Sequence, residues 1–210
     1  MTRLEGTVRP TRYVFGYGSL LHPESLRRTL SEMDLDACIP ARAAGLVRCF
    51  DVAFPNDGSQ QDKAYYDTDG SRPPRVLLAN LRPQTGVSAN GVCLPVDADG
   101  LDALRARERR YAPRQIAVEP YPGWPAPEGV VLAFLGQAEF TRPDDVSRGL
   151  LSSRYRDLVV TGAQHWEGQV RGFGADFHAS THLPPAEQIH TLQRVDLGAD
   201  RVIRPDDYGR

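Results

Sequence analysis

A glutamate stands among the apolar positions of the clearest helical pattern in the sequence. In "DADGLDALRARERRYAP", residues 97–113, Leu101, Leu104, Glu108 and Tyr111 recur at spacings of three and four, which places them on one face of a helix. The neighbouring arginines are predicted to point elsewhere around that helix: Arg105, Arg107, Arg109 and Arg110. A carboxylate that faces a core is costly unless it is paired, hydrogen-bonded or protonated, and burial raises its pKa toward values useful for proton transfer. Glu108 is therefore either paired with an arginine from another element or a candidate general acid/base.

A second candidate is the glycine-containing stretch "YVFGYGSLLHPES", residues 13–25, where an apolar run meets a helix start. One interpretation is a tight turn whose glycines adopt positive φ. The other is a loop whose backbone N–H groups face a carboxylate or a developing oxyanion, with the hydroxyl of Ser19 beside them. The stretch has neither GxGxxG spacing nor the lysine of GxxxxGK[ST], which argues against a dinucleotide site or a P-loop.

Other arrangements of reactive side chains are weaker. His178 and His182 in "HASTH" have a spacing that suits metal binding on a helix, but no glutamate follows His178 and no third ligand is evident, so we expect no metal site. Ser19 lies in "GYGSL" rather than GxSxG, which argues against a serine hydrolase. The cysteines are widely spaced and form no CxxC pair, as expected of core thiols: Cys38, Cys49 and Cys93.

Composition narrows the class of protein. With 210 residues, 40% of them hydrophobic, residues 1–210 are predicted to form a single domain, with 1–11 a flexible N-terminal segment. A net charge of -2 with scattered basic residues argues against nucleic acid as a partner. There is no signal-peptide pattern at the start and no apolar run of about 20 residues, so we expect a cytoplasmic protein that does not bind membranes.

The elements that would position these residues are of mixed type. Five or six short strands are predicted, including residues 12–18, 45–54, 75–81, 91–97, 114–121 and 129–136, which suggests a sheet curled into a barrel. Helices are predicted from residue 22, over 97–113 and, as one long amphipathic helix, over 143–166. Residues 52–74 are polar, rich in glycine and closed by prolines, which predicts a long loop of low order.

Several of these segments together resemble the γ-glutamylcyclotransferase superfamily, including its bacterial, ChaC-like and AIG2-like branches. "FGYGSLLHPESL" is similar to the family's N-terminal signature, "GLVRCFD" to the segment after the first helix, and "VLLANLRPQTGVSANGVCLPVD" to its paired central strands. "LDALRARERRYAPRQIAV" is similar to the helix that bears the family's catalytic glutamate. The resemblance covers roughly residues 13–140. The loop at 52–74 and the tail from about residue 184 do not match.

The resemblance implies a γ-glutamylcyclotransferase-like α+β fold, in which a small mixed β-barrel is flanked by helices. It implies an enzyme that releases 5-oxoproline from a small-molecule γ-glutamyl substrate without cofactor or metal, with Glu108 as general acid/base. Residues of the loop would bind the substrate, with a tyrosine nearby: Tyr17, Gly18, Ser19, Leu20 and Tyr111. A binding or regulatory protein on the same scaffold, and removal of a γ-glutamyl protecting group from a biosynthetic intermediate, remain alternatives. The departing group and the oligomeric state are not specified by the sequence.

Overall fold

The computed structural model describes residues 12–197. Its strands are β1 (Arg12–Gly16), β2 (Ile39–Pro55), β3 (Lys63–Tyr66), β4 (Arg75–Val96), β5 (Tyr111–Gln115), β6 (Glu119–Pro120), β7 (Val130–Gly136), β8 (Leu150–Ser152), β9 (Ile189–His190) and β10 (Gln193–Asp196). Its α-helices are α1 (Pro23–Arg27), α2 (Ala98–Arg107), α3 (Pro143–Ser147), α4 (Ser153–Glu167) and α5 (Phe173–Ala179). The predicted flexible segment 1–11 and the last part of the tail lie outside the described residues.

The predicted α+β class is confirmed, and β1 lies in the middle of the main sheet. The strand order is β5-β7-β1-β4-β2-β6, with β8 and β9 added beside the first half of β4. β1 pairs antiparallel with β4 and parallel with β7. Among the described strands the two ends, β5 and β6, do not pair, so the sheet is not closed into the predicted barrel. The end strand β6 is only two residues long, and its Pro120 has no N–H with which to extend the pairing.

Two long strands, β2 and β4, form most of the main sheet. Residues 75–81 and 91–97, predicted as separate strands, belong largely to β4, whose two halves both pair with β2. The register jumps from Pro83 to Ser88 opposite Leu46, and further irregularity lies between Phe50 and Val52. Such bulges bend a strand and change its direction. The polar middle of β4, residues 84–87, lies between the two paired halves and has no partner in β2, which fits its loop-like composition.

The prediction of one long loop over residues 52–74 is wrong. Residues 52–55 complete β2, and Lys63–Tyr66 form β3, which pairs antiparallel with β10 near the end of the described chain. The Asn56 side chain holds the intervening turns by donating to Tyr65 O and Pro73 O, both at 2.8 Å. Pairing between segments about 130 residues apart gives this polar stretch an order that its composition does not indicate.

The single long helix predicted over 143–166 is also wrong. α3 ends at Ser147, and α4 starts only at Ser153. Between them β8 pairs in parallel with Val76 and Leu77 of β4, and Leu151 is fully buried. Backbone pairing and burial of Leu151 against the sheet therefore replace a turn of helix. α5 ends at Ala179, so His178 and His182 do not share the helix face that their spacing suggested.

Alternation along β1 directs side chains into both faces of the sheet. Val14 packs with Trp166 of α4 and Phe173 of α5, whereas Tyr13 and Phe15 pack in a second cluster on the other face. α4 runs against the residues that follow β1, where a Cβ at Gly162 would lie 2.7 Å from the backbone nitrogen of His22. Among residues 12–197, no helix has the length and apolar character needed to cross a bilayer.

Candidate functional site

Glu108 is the residue at which α2 ends and the chain turns toward β5. Its N–H donates to Leu104 O at 2.8 Å, and the Tyr111 N–H donates to Glu108 O at 3.0 Å. The prediction that Glu108 and Tyr111 continue the helical stripe is wrong, because Tyr111 has left the helix to pair with Gly136 in β7. The short turn, rather than helical periodicity, sets the direction of the Glu108 side chain.

Arg107 joins the Glu108 carboxylate to the residues after β1. Its Nε lies 3.3 Å from Glu108 Oε1. Nη2 donates to Ser19 Oγ at 3.0 Å and to Ser25 Oγ at 2.9 Å, while Nη1 donates to Ser25 O and to Thr29 Oγ1. Arg107 therefore points inward, contrary to the sequence prediction. The arginine that pairs with Glu108 comes from its own segment rather than from another element.

Close packing, not positive φ, explains Gly16 at the end of β1 and Gly18 in the loop that follows. Neither Gly16 nor Gly18 has a positive φ, so the interpretation as a left-handed tight turn is wrong. A Cβ on Gly16 would lie 3.0 Å from Leu20 Cβ. A Cβ on Gly18 would lie 3.1 Å from Ala79 Cβ and 3.4 Å from the Tyr155 hydroxyl oxygen. The loop thus approaches β4 and α4 too closely for a larger residue to fit without movement.

Fully buried Arg48 fixes the start of this loop. Its Nε donates to Tyr17 O at 2.6 Å, and its two Nη atoms donate to Thr181 Oγ1 and to the backbone and side-chain oxygens of Asn90. These partners are neutral, and burial lowers the pKa of Arg48 to about 9. The 3₁₀ helix that follows, Ser19–Leu21, has no side-chain cap. The first N–H groups of a helix have no intrahelical partner, so an uncapped start leaves donors for other acceptors.

Three tyrosine hydroxyls fix the backbone around the loop. Tyr111 Oη donates to Ala79 O at 2.7 Å, and the Ala79 N–H donates to Tyr155 Oη at 3.3 Å. Tyr17 Oη donates to Phe134 O. Burial raises the pKa of both Tyr17 and Tyr111 well above 10, so these hydroxyls stay protonated at neutral pH. They act here as uncharged hydrogen-bond donors.

The site residues predicted from sequence lie around two adjoining spaces. The larger is a cavity of about 350 Å³, whose lining includes Ser19, Glu108, Tyr111 and Tyr155. The smaller is a narrow cleft whose lining includes all six predicted residues: Tyr17, Gly18, Ser19, Leu20, Glu108 and Tyr111. Glu108 thus lies where the cleft of the loop meets the larger cavity. The larger volume falls within the range of about 300–1,000 Å³ that is typical of small-molecule sites.

The β3–β10 pair forms one wall of the larger cavity. Asp62, Lys63 and Tyr65 line it from the β3 side, and Arg194 and Asp196 line it from β10. The loop and tail that did not match the family resemblance are therefore both part of the site.

Arg110 fastens this wall to the segment that bears Glu108. Its side chain is only 2% exposed, and it pairs through both Nη atoms with Asp62 and through Nη2 with Gln60 Oε1. Arg110 therefore also points inward, where the helical pattern predicted the opposite. The pair links the turn after α2 to the turn before β3.

Burial raises the pKa of Glu108 above its usual range. The positive charges of Arg107, Lys63 and Arg110 oppose this effect without cancelling it. The Glu108 side chain is 17% exposed, so it keeps contact with the cavity. A carboxylate with a raised pKa is, when ionised, a stronger proton acceptor than an ordinary glutamate.

Sequence reasoning missed four residues that line or support the site: Lys63, Arg107, Arg110 and Tyr155. Lys63 is the only lysine in the sequence, a signal that was visible before the structure was known. The two arginines were predicted to point elsewhere around the helix than Glu108, because the helix was assumed to continue beyond Arg107. Nothing in the local pattern of α4 distinguishes Tyr155 from an ordinary half-buried helix residue.

Known proteins match this chain in comparisons of structure but not in comparisons of sequence. No protein-family model matches the chain, and no curated protein sequence does. A solved structure of a γ-glutamyl cyclotransferase is similar with a TM-score of 0.53 at 14% identity, over 82% of this chain and 89% of that one. An uncharacterized protein from Homo sapiens has the same TM-score at 16% identity, with the same coverage. YkqA from Bacillus subtilis has a TM-score of 0.50 at 17% identity, over 73% of this chain and 48% of its own.

These similarities show that the chain has the fold of γ-glutamyl cyclotransferase structures. The family resemblance seen in the sequence is thereby confirmed at the level of fold. Identities of 14–17% leave the reaction to be argued from the site itself.

Proposed function

We propose that this chain is a γ-glutamylcyclotransferase-type enzyme that acts in the cavity around Glu108. The α-amino nitrogen of a γ-glutamyl group attacks its own γ-carbonyl carbon and forms the C–N bond of the 5-oxoproline ring. The bond between that carbon and the departing nitrogen breaks. The products are 5-oxoproline and an amine or amino acid, and the reaction balances without an oxidant or a cofactor.

One observation carries this proposal: Glu108 borders both the cleft of the glycine loop and the larger cavity. A γ-glutamyl group held at the loop would present its α-amino group and γ-carbonyl to this carboxylate. The departing half would then extend into the larger cavity. The arrangement suits a substrate with a small fixed part and a larger variable part.

Glu108 would move the protons of the reaction. It takes one proton from the α-ammonium, which makes the nitrogen nucleophilic, and gives it to the departing nitrogen. The ionised carboxylate then accepts the second proton, which the ring nitrogen loses as the amide forms. A positioned acid/base contributes roughly 10²–10⁴ in rate, and holding the chain bent for ring closure contributes about 7–11 kcal/mol. The raised pKa of Glu108 favours this role, because a more basic carboxylate is a better proton acceptor.

The loop would bind the glutamyl group and stabilise the oxyanion. Ser19 Oγ accepts from Arg107, so its own O–H remains able to donate to a substrate oxygen. Preorganised donors of this kind are each worth about 10²–10³ in rate when aimed at a developing oxyanion. We assign substrate binding to the residues of the cleft: Tyr17, Gly18, Ser19, Leu20 and Tyr111.

The test is release of 5-oxoproline, measured by mass spectrometry, from a panel of glutathione, γ-glutamyl amino acids, γ-glutamyl amines and γ-glutamyl-lysine. We expect wild-type protein to release 5-oxoproline from at least one class. Saturable binding of a panel member by calorimetry, with no product formed, would instead identify a binding protein on the same scaffold. If no member of the panel is either turned over or bound, the proposal of a γ-glutamyl ligand is rejected.

A further inference from the structure

The only lysine of the chain faces the proposed reaction site. Lys63 begins β3 and lines the same cavity as Glu108. Its side chain is 14% exposed, which is unusual for a residue type that is almost never buried without a partner. The positive charge of Lys63 is near enough to Glu108 to act on that carboxylate.

The groups that residues 12–197 place around the Lys63 ammonium do not satisfy it. Asp62 Oδ2 lies 3.9 Å from Nζ, beyond hydrogen-bond distance, and the Asp62 carboxylate is already held by Arg110. The Phe54 ring lies beneath the ammonium, with its centroid 5.2 Å from Nζ. Within residues 12–197 the ammonium donates no hydrogen bond, although it carries three donors. A desolvated cation in this state is ready to bind an anion that enters the cavity.

The lining of the cavity favours an anion as well. Among the described residues that line it, six are cationic and three are acidic. Asp62 and Asp196 are engaged by Arg110 and Arg194, whereas Arg28 adds an exposed positive charge at the cavity. The net positive charge of the lining therefore attracts a negatively charged group to the cavity.

We propose that Lys63 binds a carboxylate on the departing half of the substrate. The inference rests on the proposed function, in which the glutamyl group occupies the cleft of Tyr17–Leu20 and Glu108 faces the bond that breaks. Lys63 lines the larger cavity, into which the departing half would extend, and does not line the cleft. The enzyme would then select γ-glutamyl amino acids or peptides over γ-glutamyl amines. Lys63 is a specificity residue in this scheme and takes no proton from the substrate.

The test compares two substrates that differ in one carboxylate, γ-glutamyl-alanine and γ-glutamyl-ethylamine. For each, kcat/KM is measured with wild type, Lys63→Met, Lys63→Arg and the control Arg114→Met, which removes an exposed charge from β5. We expect Lys63→Met to lower the preference for γ-glutamyl-alanine by about 10–100-fold, mainly through KM, as loss of a charged hydrogen bond would. Lys63→Arg should restore much of the preference, and Arg114→Met should leave it unchanged.

Equal losses on both substrates, or an unchanged preference in Lys63→Met, would overturn the proposal. If wild type released 5-oxoproline from neither of these two compounds, the proposed reaction would fail for both of them and there would be no rates to compare. Calorimetric binding of the same two compounds to wild type and Lys63→Met then decides the role of Lys63 separately. If wild type binds γ-glutamyl-alanine more tightly than γ-glutamyl-ethylamine and Lys63→Met does not, the role of Lys63 is supported. If wild type binds the two compounds equally, that role is rejected.

Discussion

The link between Arg110 and Asp62 provides a test of how the wall of the cavity is held in place. In Arg110→Met the alkyl stem is largely retained while the cation is lost. The substitution removes hydrogen bonds at 2.8 Å to Asp62 Oδ2 and at 2.7 Å to Gln60 Oε1, together with a third to Asp62 Oδ1. Asp62 then keeps its contact with Lys63, whose Nζ lies 3.9 Å from Asp62 Oδ2.

The expected loss of stability follows from the burial of the two partners. Breaking a fully buried pair by removing one member costs about 3–5 kcal/mol. The Asp62 side chain is 24% exposed, so water can solvate it in part, and we expect a loss of about 2–4 kcal/mol. For a chain of this size each kcal/mol changes Tm by about 2–4 °C, which gives a fall of about 4–16 °C.

Thermal and urea unfolding of four proteins measures this directly: wild type, Arg110→Met, Asp62→Asn and the double variant. The double variant should be more stable than Arg110→Met alone, because it no longer contains an unpaired carboxylate. Burial raises the pKa of Asp62, but the hydrogen bonds and charges of Arg110 and Lys63 hold it below its usual range. Since the folded pKa is depressed, the contribution of the pair is present at neutral pH and is lost as pH falls through that pKa. A Tm of Arg110→Met within 1 °C of wild type at pH 7, or additive effects in the double variant, would refute the reasoning.

Two further predictions concern the proposed catalyst and the loop. Glu108→Gln should unfold at a higher temperature than wild type at pH 7, because a folded pKa above the unfolded value means that the ionised carboxylate costs stability. The difference in Tm between Glu108→Gln and wild type should shrink as the pH is lowered from the pKa of Glu108 in the folded protein to that of an ordinary glutamate. A Tm of Glu108→Gln below that of wild type throughout this range would contradict the prediction. Gly18→Ala places a Cβ 3.1 Å from Ala79 Cβ and 3.4 Å from the Tyr155 hydroxyl oxygen, so we expect about 1–3 kcal/mol of destabilisation and at least a tenfold loss in kcat/KM. Unchanged unfolding and kinetics in Gly18→Ala would mean that the loop has more room than the structure gives it.

Local sequence patterns were sufficient to predict the two elements that carry the site, β1 and α2. The apolar run of β1 and the leucines of α2 could be recognised because their periodicity is local and their burial follows from it. Both candidate segments were located from local patterns as well, although Glu108 lies in a turn and not on the helical stripe from which it was singled out. Their meeting at one cavity was implied by the family resemblance and not by spacing.

Long-range pairing accounts for what the sequence did not predict. β8 is three residues long and exists because Leu150 and Leu151 pair with β4, more than 70 residues earlier in the chain. β3 pairs with β10 across about 130 residues, which turns a polar stretch into a wall of the cavity. The inward direction of Arg110 depends on Asp62, a residue in that wall. No local pattern carries this information.

The most direct test of the account is the rate of 5-oxoproline release by Glu108→Gln beside wild type, at saturating concentration of the best substrate. Glutamine keeps the shape of the side chain but cannot carry a proton between two nitrogens. We predict that kcat falls by at least 10²–10⁴, while calorimetry shows that the substrate still binds and unfolding shows that the fold is intact. Turnover by Glu108→Gln at the wild-type rate would contradict the central claim that this carboxylate moves the protons.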